Sequence, residues 1–270
     1  MASSPPSHTP QLLWEPTQRE LTTTVFMRNR LLFTTLAREI VPALREKKGK
    51  NLNILFLACS SGCEPYSLKF LLGPGAKDEI VGIDIDASAI QRARSGIYPP
   101  EMLSGFESQN PLLTGEERSL YFEPTVDPRT GALTIKDEYQ SHMSFLKDDL
   151  FSANPMLPQA AYDLVLCNNL LLHLQPESAD IAWDHIMKFV APGGVVVVGG
   201  CNPSIKSKAA KRHALQPRLE QLTAIHRGWS GVYNAWQRDP RPLWAYPEPD
   251  ENDPDYPYLA GEIFFTASRA

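Results

Sequence analysis

Two side chains have the type and setting to do chemistry: Glu64 and Asp84. Glu64 says the most. It follows an apolar run, Leu52 to Ala58, and a cluster of small residues, Cys59, Ser60, Ser61 and Gly62. After it come Pro65 and the periodic apolar positions Leu68, Phe70, Leu71 and Leu72. That order predicts a buried strand, a tight turn and a helix with proline in its first position, where a missing N–H costs nothing. Such a unit floors a nucleotide-type site in doubly wound sheets. A dinucleotide fingerprint would seat a pyrophosphate on the helix N-terminus. Only Gly62 matches a glycine of that pattern, and Glu64 would repel a phosphate. A carboxylate there suits an ammonium. It also suits a plain helix cap, and the turn alone supports both readings.

The elements that must position these residues follow in order. Residues 26–48 read as a helix that Pro42 kinks or splits in two. A second strand spans Ile80 to Ile85 and carries Asp84, which stands 22 positions after Gly62 (84 − 62), where an acid hydrogen-bonds a ribose hydroxyl pair. Asp86 is expected to cap a helix from Ala87 to Arg94, stopped by Gly96. Residues 99–141 do not read as a simple crossover: Thr114 caps a helix over 115–121, a turn covers 128–131, and a short strand covers 132–135. A third core strand covers 143–146 and a fourth, Tyr162 to Cys167, is a continuous apolar run of the parallel-sheet kind. Asn168 and Asn169 follow it. A helix over 178–190 and a fifth strand over 195–198 come next, then a largely helical stretch over 206–227 and a closing strand over 262–266. Residues 228–258 are dense in aromatics and prolines. They read as a lid or pocket wall, within a lid region of about 204–260, or equally as a proline-rich surface loop.

Composition narrows the class. A chain of 270 residues, 43% hydrophobic and 21% charged, suits one soluble domain with insertions. No apolar run approaches a membrane span. The N-terminus, MASSPPSHTP, has neither a basic region nor an apolar core, so it reads as a flexible tail over 1–21 and not as a secretory signal. A net charge of −5 argues against nucleic acid. Cys59, Cys63, Cys167 and Cys201 lack the paired spacing of a zinc site, and are expected to be reduced thiols in a cytoplasmic protein that holds no metal.

Five blocks come in order: TTVFMR (23–28), ACSSGCEPYSL (58–68), GIDIDASAIQRARSGIYP (82–99), DLVLCNNLLLHL (163–174) and VAPGGVVVVGG (190–200). Together they closely resemble the CheR-type methyltransferases, which methylate glutamate side chains of chemotaxis receptors using S-adenosylmethionine. The resemblance covers about residues 22–200. It implies a class I, Rossmann-like α/β fold: a mainly parallel seven-stranded sheet, helices on both faces, and a small β-containing insertion at about 99–141. It implies S-adenosylmethionine as cofactor, a ligand with a ribose, an adenine and an ammonium but no phosphate. The residues implied to hold it are Thr22, Thr24, Arg28, Gly62, Glu64, Asp84, Asp149 with its neighbour Leu150, Asn168 and Asn169. Arg28 matches the arginine near cofactor and acceptor, and Asp149 the residue beside the adenine.

The chain also departs from that family. Asn168 stands in place of an arginine, His173 in place of a tyrosine, and Cys63 in place of the first acid of the GEEP turn. The family's N-terminal helical domain is expected to be lacking. His173 reads as a base for a hydroxyl or amine acceptor, or equally as a partly buried histidine. These departures direct the expectation toward a small-molecule or peptide acceptor, including a carboxylate, with Arg28 and His173 as catalytic residues. A protein-glutamate methyltransferase of the chemotaxis kind and a non-catalytic cofactor-binding regulator are the alternatives.

Overall fold

The first apolar run forms strand β1 (Asn53–Leu57), parallel to β2 (Glu79–Asp84) on one side and to β7 (Tyr162–Leu166) on the other. Beyond β2 lies β6 (Met143–Lys147), and beyond β7 lies β8 (Val190–Val197), both parallel to their neighbours. β10 (Ile263–Phe265) joins β8 antiparallel, and the two-residue β9 (Gln216–Pro217) closes the edge. The order is β6-β2-β1-β7-β8-β10-β9, seven strands with one antiparallel member. The computed structural model describes residues 10–12, 24–104, 113–125, 128–152, 155–229 and 248–267.

Strand alternation splits the core in two. Ile54, Phe56, Leu164, Leu166, Val195 and Val197 face one layer, with Leu68 and Phe70 of the Cys63–Leu72 helix and Ile90 and Ala93 of the Ala87–Ser95 helix. Leu55, Leu57, Val165, Val196 and Val198 face the other, with Trp183 and Ile186 of the Pro176–Phe189 helix. Helices therefore cover both faces of the sheet, as a buried parallel sheet requires. The insertion builds a separate antiparallel sheet from β3 (Ile97–Tyr98), β5 (Leu133–Ile135) and β4 (Phe122–Pro124). The Gly115–Tyr121 helix, between β3 and β4, opens on a capping box, Thr114 with Glu117.

Several expected boundaries move for physical reasons. The first helix is continuous across a π turn, Leu36–Ile40, that runs directly into Val41–Lys48. Pro42 has no N–H to continue the ordinary ladder, and the Val41 N–H reaches back to the Leu36 carbonyl instead. The Cys63–Leu72 helix begins after Gly62 at φ 81°, so Pro65 is its third residue and not its first. That position still belongs to the first turn, whose N–H groups have no helical partner. The stretch expected to be helical over 206–227 breaks into Pro203–Arg212, β9 and Leu222–Arg227. Ala214 turns at φ 51°, and Pro217, which cannot serve a helix ladder, sits in the short strand at the sheet edge. β8 begins at Val190, five residues before the expected strand, and keeps the Pro192–Gly194 turn inside it as a register shift.

Of the expected tail, residues 10–12 lie along the domain. Leu12 bridges Leu174, and the Gln175 N–H donates to the Gln11 carbonyl at 2.8 Å. Of the aromatic segment expected at 228–258, residues 230–247 lie outside the described residues. Among the described residues, no helix is long and apolar enough to cross a membrane.

Candidate active site

From β1 the chain winds outward to β2 and β6 on one side. It returns to β7 and β8 on the other, so strand order reverses between β1 and β7. Ligands of open α/β sheets bind outside the carboxyl ends of the strands at such a reversal. Here those ends are Ala58 to Glu64 after β1 and Cys167 to Asn169 after β7.

The backbone is held in unusual shapes at this point. Ala58 (φ 52°), Ser60 (φ 49°) and Asn169 (φ 58°) all lie in the left-handed region without being glycine. Such residues are costly and concentrate at ligand sites. The loop is braced from three directions. Ser60 N–H donates to Asp84 Oδ2 at 2.8 Å, Tyr98 Oη donates to the Ser61 carbonyl at 2.6 Å, and Cys59 N–H donates to the Ile83 carbonyl at 2.9 Å. Tyr66 Oη adds a tie from the next helix to the Ala93 carbonyl at 3.0 Å. EPYS and ARSGIY are thus two halves of one clasp.

Glu64 is buried, 8% exposed, in the first turn of its helix. Asn168 Nδ2 donates to Glu64 Oε2 at 2.9 Å across the reversal point, and Asn168 Oδ1 accepts from the Gly199 N–H at 2.9 Å. Burial pushes the Glu64 carboxyl above its ordinary value, while the Arg28 charge, Asn168 and Asn169 pull the other way and lose. The Asn169 Nδ2 is buried beside this carboxylate with no well-formed hydrogen bond among the described residues. Burial pushes the adjacent Cys63 thiol up to about 12, so it is a neutral group and no nucleophile. Thr24 is buried and hydrogen-bonds that thiol.

Arg28 is buried and its charge is felt by both Glu64 and Cys63. Met27, at φ 53°, turns the chain so that this arginine enters the cluster. That turn is fixed by Ser67, whose Oγ accepts from the Met27 N–H at 2.8 Å and donates to the Cys63 carbonyl at 2.7 Å. Ser67 was visible only as the last letter of EPYS. Met27 carried no sequence signal, because the left-handed turn is imposed by Ser67 from another element.

Asp84 ends β2 with its carboxylate half-buried. Burial pushes it up; the Asp86 and Ser60 N–H groups oppose this without reversing it. Both carboxylate oxygens accept one N–H and keep a lone pair for a further donor. Asp149 is exposed just past β6, the strand beside β2, and its Oδ1 accepts from the Phe151 N–H at 2.9 Å. Leu150 beside it is buried. The structure therefore draws Thr24, Arg28, Gly62, Glu64, Asn168 and Asn169 around one point and sets Asp84 and Asp149 along the adjacent strand ends. His173 is half-buried on the 3₁₀ turn Leu171–His173, next to the Leu12–Leu174 bridge. Thr22 is outside the described residues. All four cysteines are buried and free.

A family model described as "CheR methyltransferase, SAM binding domain" matches residues 22–217. The chain belongs to this family. A chemotaxis protein methyltransferase of Listeria innocua is 28% identical over 178 residues, covering 65% of this chain and 63% of that protein. A probable biofilm formation methyltransferase of Pseudomonas aeruginosa, WspC, is 28% identical over 211 residues, covering 76% of this chain and 46% of that one. The chain thus spans less than two thirds of the length of these relatives. A solved S-adenosylmethionine-dependent methyltransferase of Methanococcus maripaludis, itself assigned only by likeness, aligns over 90% of this chain and 89% of its own at 10% identity and a TM-score of 0.41, too loose to argue from.

The residues present fit the family's cofactor, S-adenosylmethionine. A buried carboxylate held short of its ordinary acidity wants a cation, and a half-buried acid on the neighbouring strand has lone pairs for hydroxyl donors. A phosphate would meet Glu64 at the helix start.

Proposed function

We propose that this CheR-family chain transfers the methyl group of S-adenosylmethionine to a carboxylate oxygen of a protein or peptide. The bound cofactor supplies a methyl group on an electron-poor sulfonium. Glu64 holds its ammonium, with Asn168 fixing the carboxylate. Asp84 takes the ribose hydroxyls, Asp149 the adenine amino group, and Thr24 and Gly62 line the turn beneath. Arg28 docks the incoming carboxylate and orients one oxygen toward the reacting carbon. An ionised carboxylate is already nucleophilic, so no general base is required and His173 need not move a proton.

The observation that carries this reading is the Asn168–Glu64 hydrogen bond at the strand reversal with the Arg28 charge beside it. The names of the relatives favour a protein acceptor over the small molecule suggested by the departures at Cys63, Asn168 and His173. A small-molecule acceptor remains the second reading, favoured by Trp229, a buried aromatic beside the crevice and beyond the matched residues. The regulator alternative is disfavoured by the retention of Arg28 in the cluster.

The test uses methyl-labelled S-adenosylmethionine, the purified chain and an extract of its source. The expected result is label in macromolecules that mild base releases as volatile methanol. Label confined to the small-molecule fraction overturns the protein acceptor, and base-stable label overturns the carboxylate.

A further inference from the structure

Trp229 is 1% exposed, and its Nε1, a donor only, has no hydrogen-bond partner among the described residues. The indole lies in the crevice. A Cβ on Gly199 would fall 2.5 Å from Trp229 Cζ2 and 2.9 Å from Cε2, the ring carbon bonded to Nε1, and 3.0 Å from Asn168 Oδ1. Gly199 is glycine because the indole edge occupies the space a side chain would take. That edge therefore adjoins the asparagine that holds Glu64. On its other side, Gly228 packs on Asn29, the residue after Arg28, and Asn29 Nδ2 donates to the Ile225 carbonyl at 2.9 Å. Trp229 is thus fastened between the Arg28 segment and the end of β8, past the last residue of the family match.

Two buried donors, Asn169 Nδ2 and Trp229 Nε1, are left without a well-formed hydrogen bond among the described residues, on either side of the Asn168 that holds Glu64, and the Arg28 charge is felt at that same carboxylate. A donor-rich pocket beside a cation is completed by an anion with several lone pairs.

We propose that Trp229 is a carboxylate-binding residue of this site, its indole N–H donating to a carboxylate that arrives with a ligand. The inference rests on the cofactor reading above. Two ligands of the proposed reaction bring a carboxylate, the methyl acceptor and the methionine end of the cofactor, and the experiment separates them.

Calorimetry is run on the wild type, Trp229→Phe and Trp229→Leu with three probes. These are S-adenosylhomocysteine; 5′-methylthioadenosine, which lacks the amino-acid end; and, on protein loaded with S-adenosylhomocysteine, the capped tripeptide N-acetyl-Ala-Glu-Ala-amide. The expected result is that both variants bind one carboxylate probe about 10-fold more weakly, the net worth of one hydrogen bond to a charged group, and bind 5′-methylthioadenosine within twofold of the wild type. Weakening of S-adenosylhomocysteine assigns the cofactor's carboxylate; weakening of the tripeptide alone assigns the acceptor's. Equal weakening of all three probes, or a loss in Trp229→Leu that Trp229→Phe does not share, means the ring only packs and overturns the proposal. Unchanged S-adenosylhomocysteine binding with tripeptide binding unchanged, or absent from the wild type, also overturns it. A wild type that binds neither adenosine probe overturns the cofactor reading itself.

Discussion

Two pairs of carboxylates sit at opposite ends of the same strands and are treated in opposite ways. At the amino end, Asp78 accepts from Arg45 Nε at 3.0 Å and from the Leu52 N–H at 2.9 Å. Asp163 is paired with Lys48 at 2.6 Å and Lys50 at 3.0 Å and accepts from the Asn53 N–H at 3.0 Å. Burial pushes both acids up, but these partners outweigh it, and both are held below their ordinary value. At the carboxyl end, Glu64 and Asp84 are pushed up by burial and their partners fail to reverse it. The amino end is complete in the folded chain. The carboxyl end is left short of positive partners, which is the mark of a site awaiting a ligand.

This contrast is broken most forcefully at Asp163. Asp163→Asn leaves Lys48 without its buried partner and is expected to cost about 3 kcal/mol, or roughly 6–12 °C in Tm, while leaving S-adenosylhomocysteine affinity within twofold. A loss of affinity in a folded variant would mean that the two ends are not separable. Glu64→Gln should do the reverse. Calorimetry is expected to show S-adenosylhomocysteine binding weakened about 100-fold, the worth of one buried charge partner, while thermal melting of the free protein shows a higher Tm because a poorly satisfied charge is gone. A lower Tm would show that Glu64 is structural.

Asp84→Ala is expected to weaken S-adenosylhomocysteine about 10-fold through the lost ribose contacts. Unchanged affinity in a folded variant would remove Asp84 from the site. The smallest effect is in pH. Asp78 and Asp163, with folded values below the ordinary 3.8, contribute stability that is present above 3.8 and is lost as pH falls through their lowered values. Glu64, raised from 4.5, has the opposite sign: its contribution is fully present below 4.5 and is lost as pH rises through its raised value. Binding an ammonium requires the ionised form, so S-adenosylhomocysteine affinity is expected to rise a few-fold as pH climbs through that raised value, with release of protons on binding. Calorimetry in two buffers of different ionisation heat measures that release, and none at acidic pH would contradict the assignment.

The parallel core was legible because each buried strand is an unbroken apolar run and each turn after it is built of small residues. Gly62, Glu64 and Asp84 could be singled out from their place relative to those turns, and Asn169 from the family resemblance. The broken helix beyond Arg212 was not legible, because the pairing of Gln216 and Pro217 with β10 joins residues far apart in the chain. Asn168, read as a departure from the family, is the residue that fixes Glu64, and nothing local to it announces a partner 104 positions away. Trp229 was read as one more ring in an aromatic segment.

The sequence by itself determined which residue types stand at the ends of the strands, and that a phosphate would not be welcome there, since the position of an acid after a strand is a local fact. The tertiary structure alone decided which of those acids stay unsatisfied. Glu64 and Asp163 are both carboxylates buried at the end of a strand. Only the packing of Lys48 and Lys50 against one, and of two asparagines and a single arginine around the other, makes the first a site and the second a support.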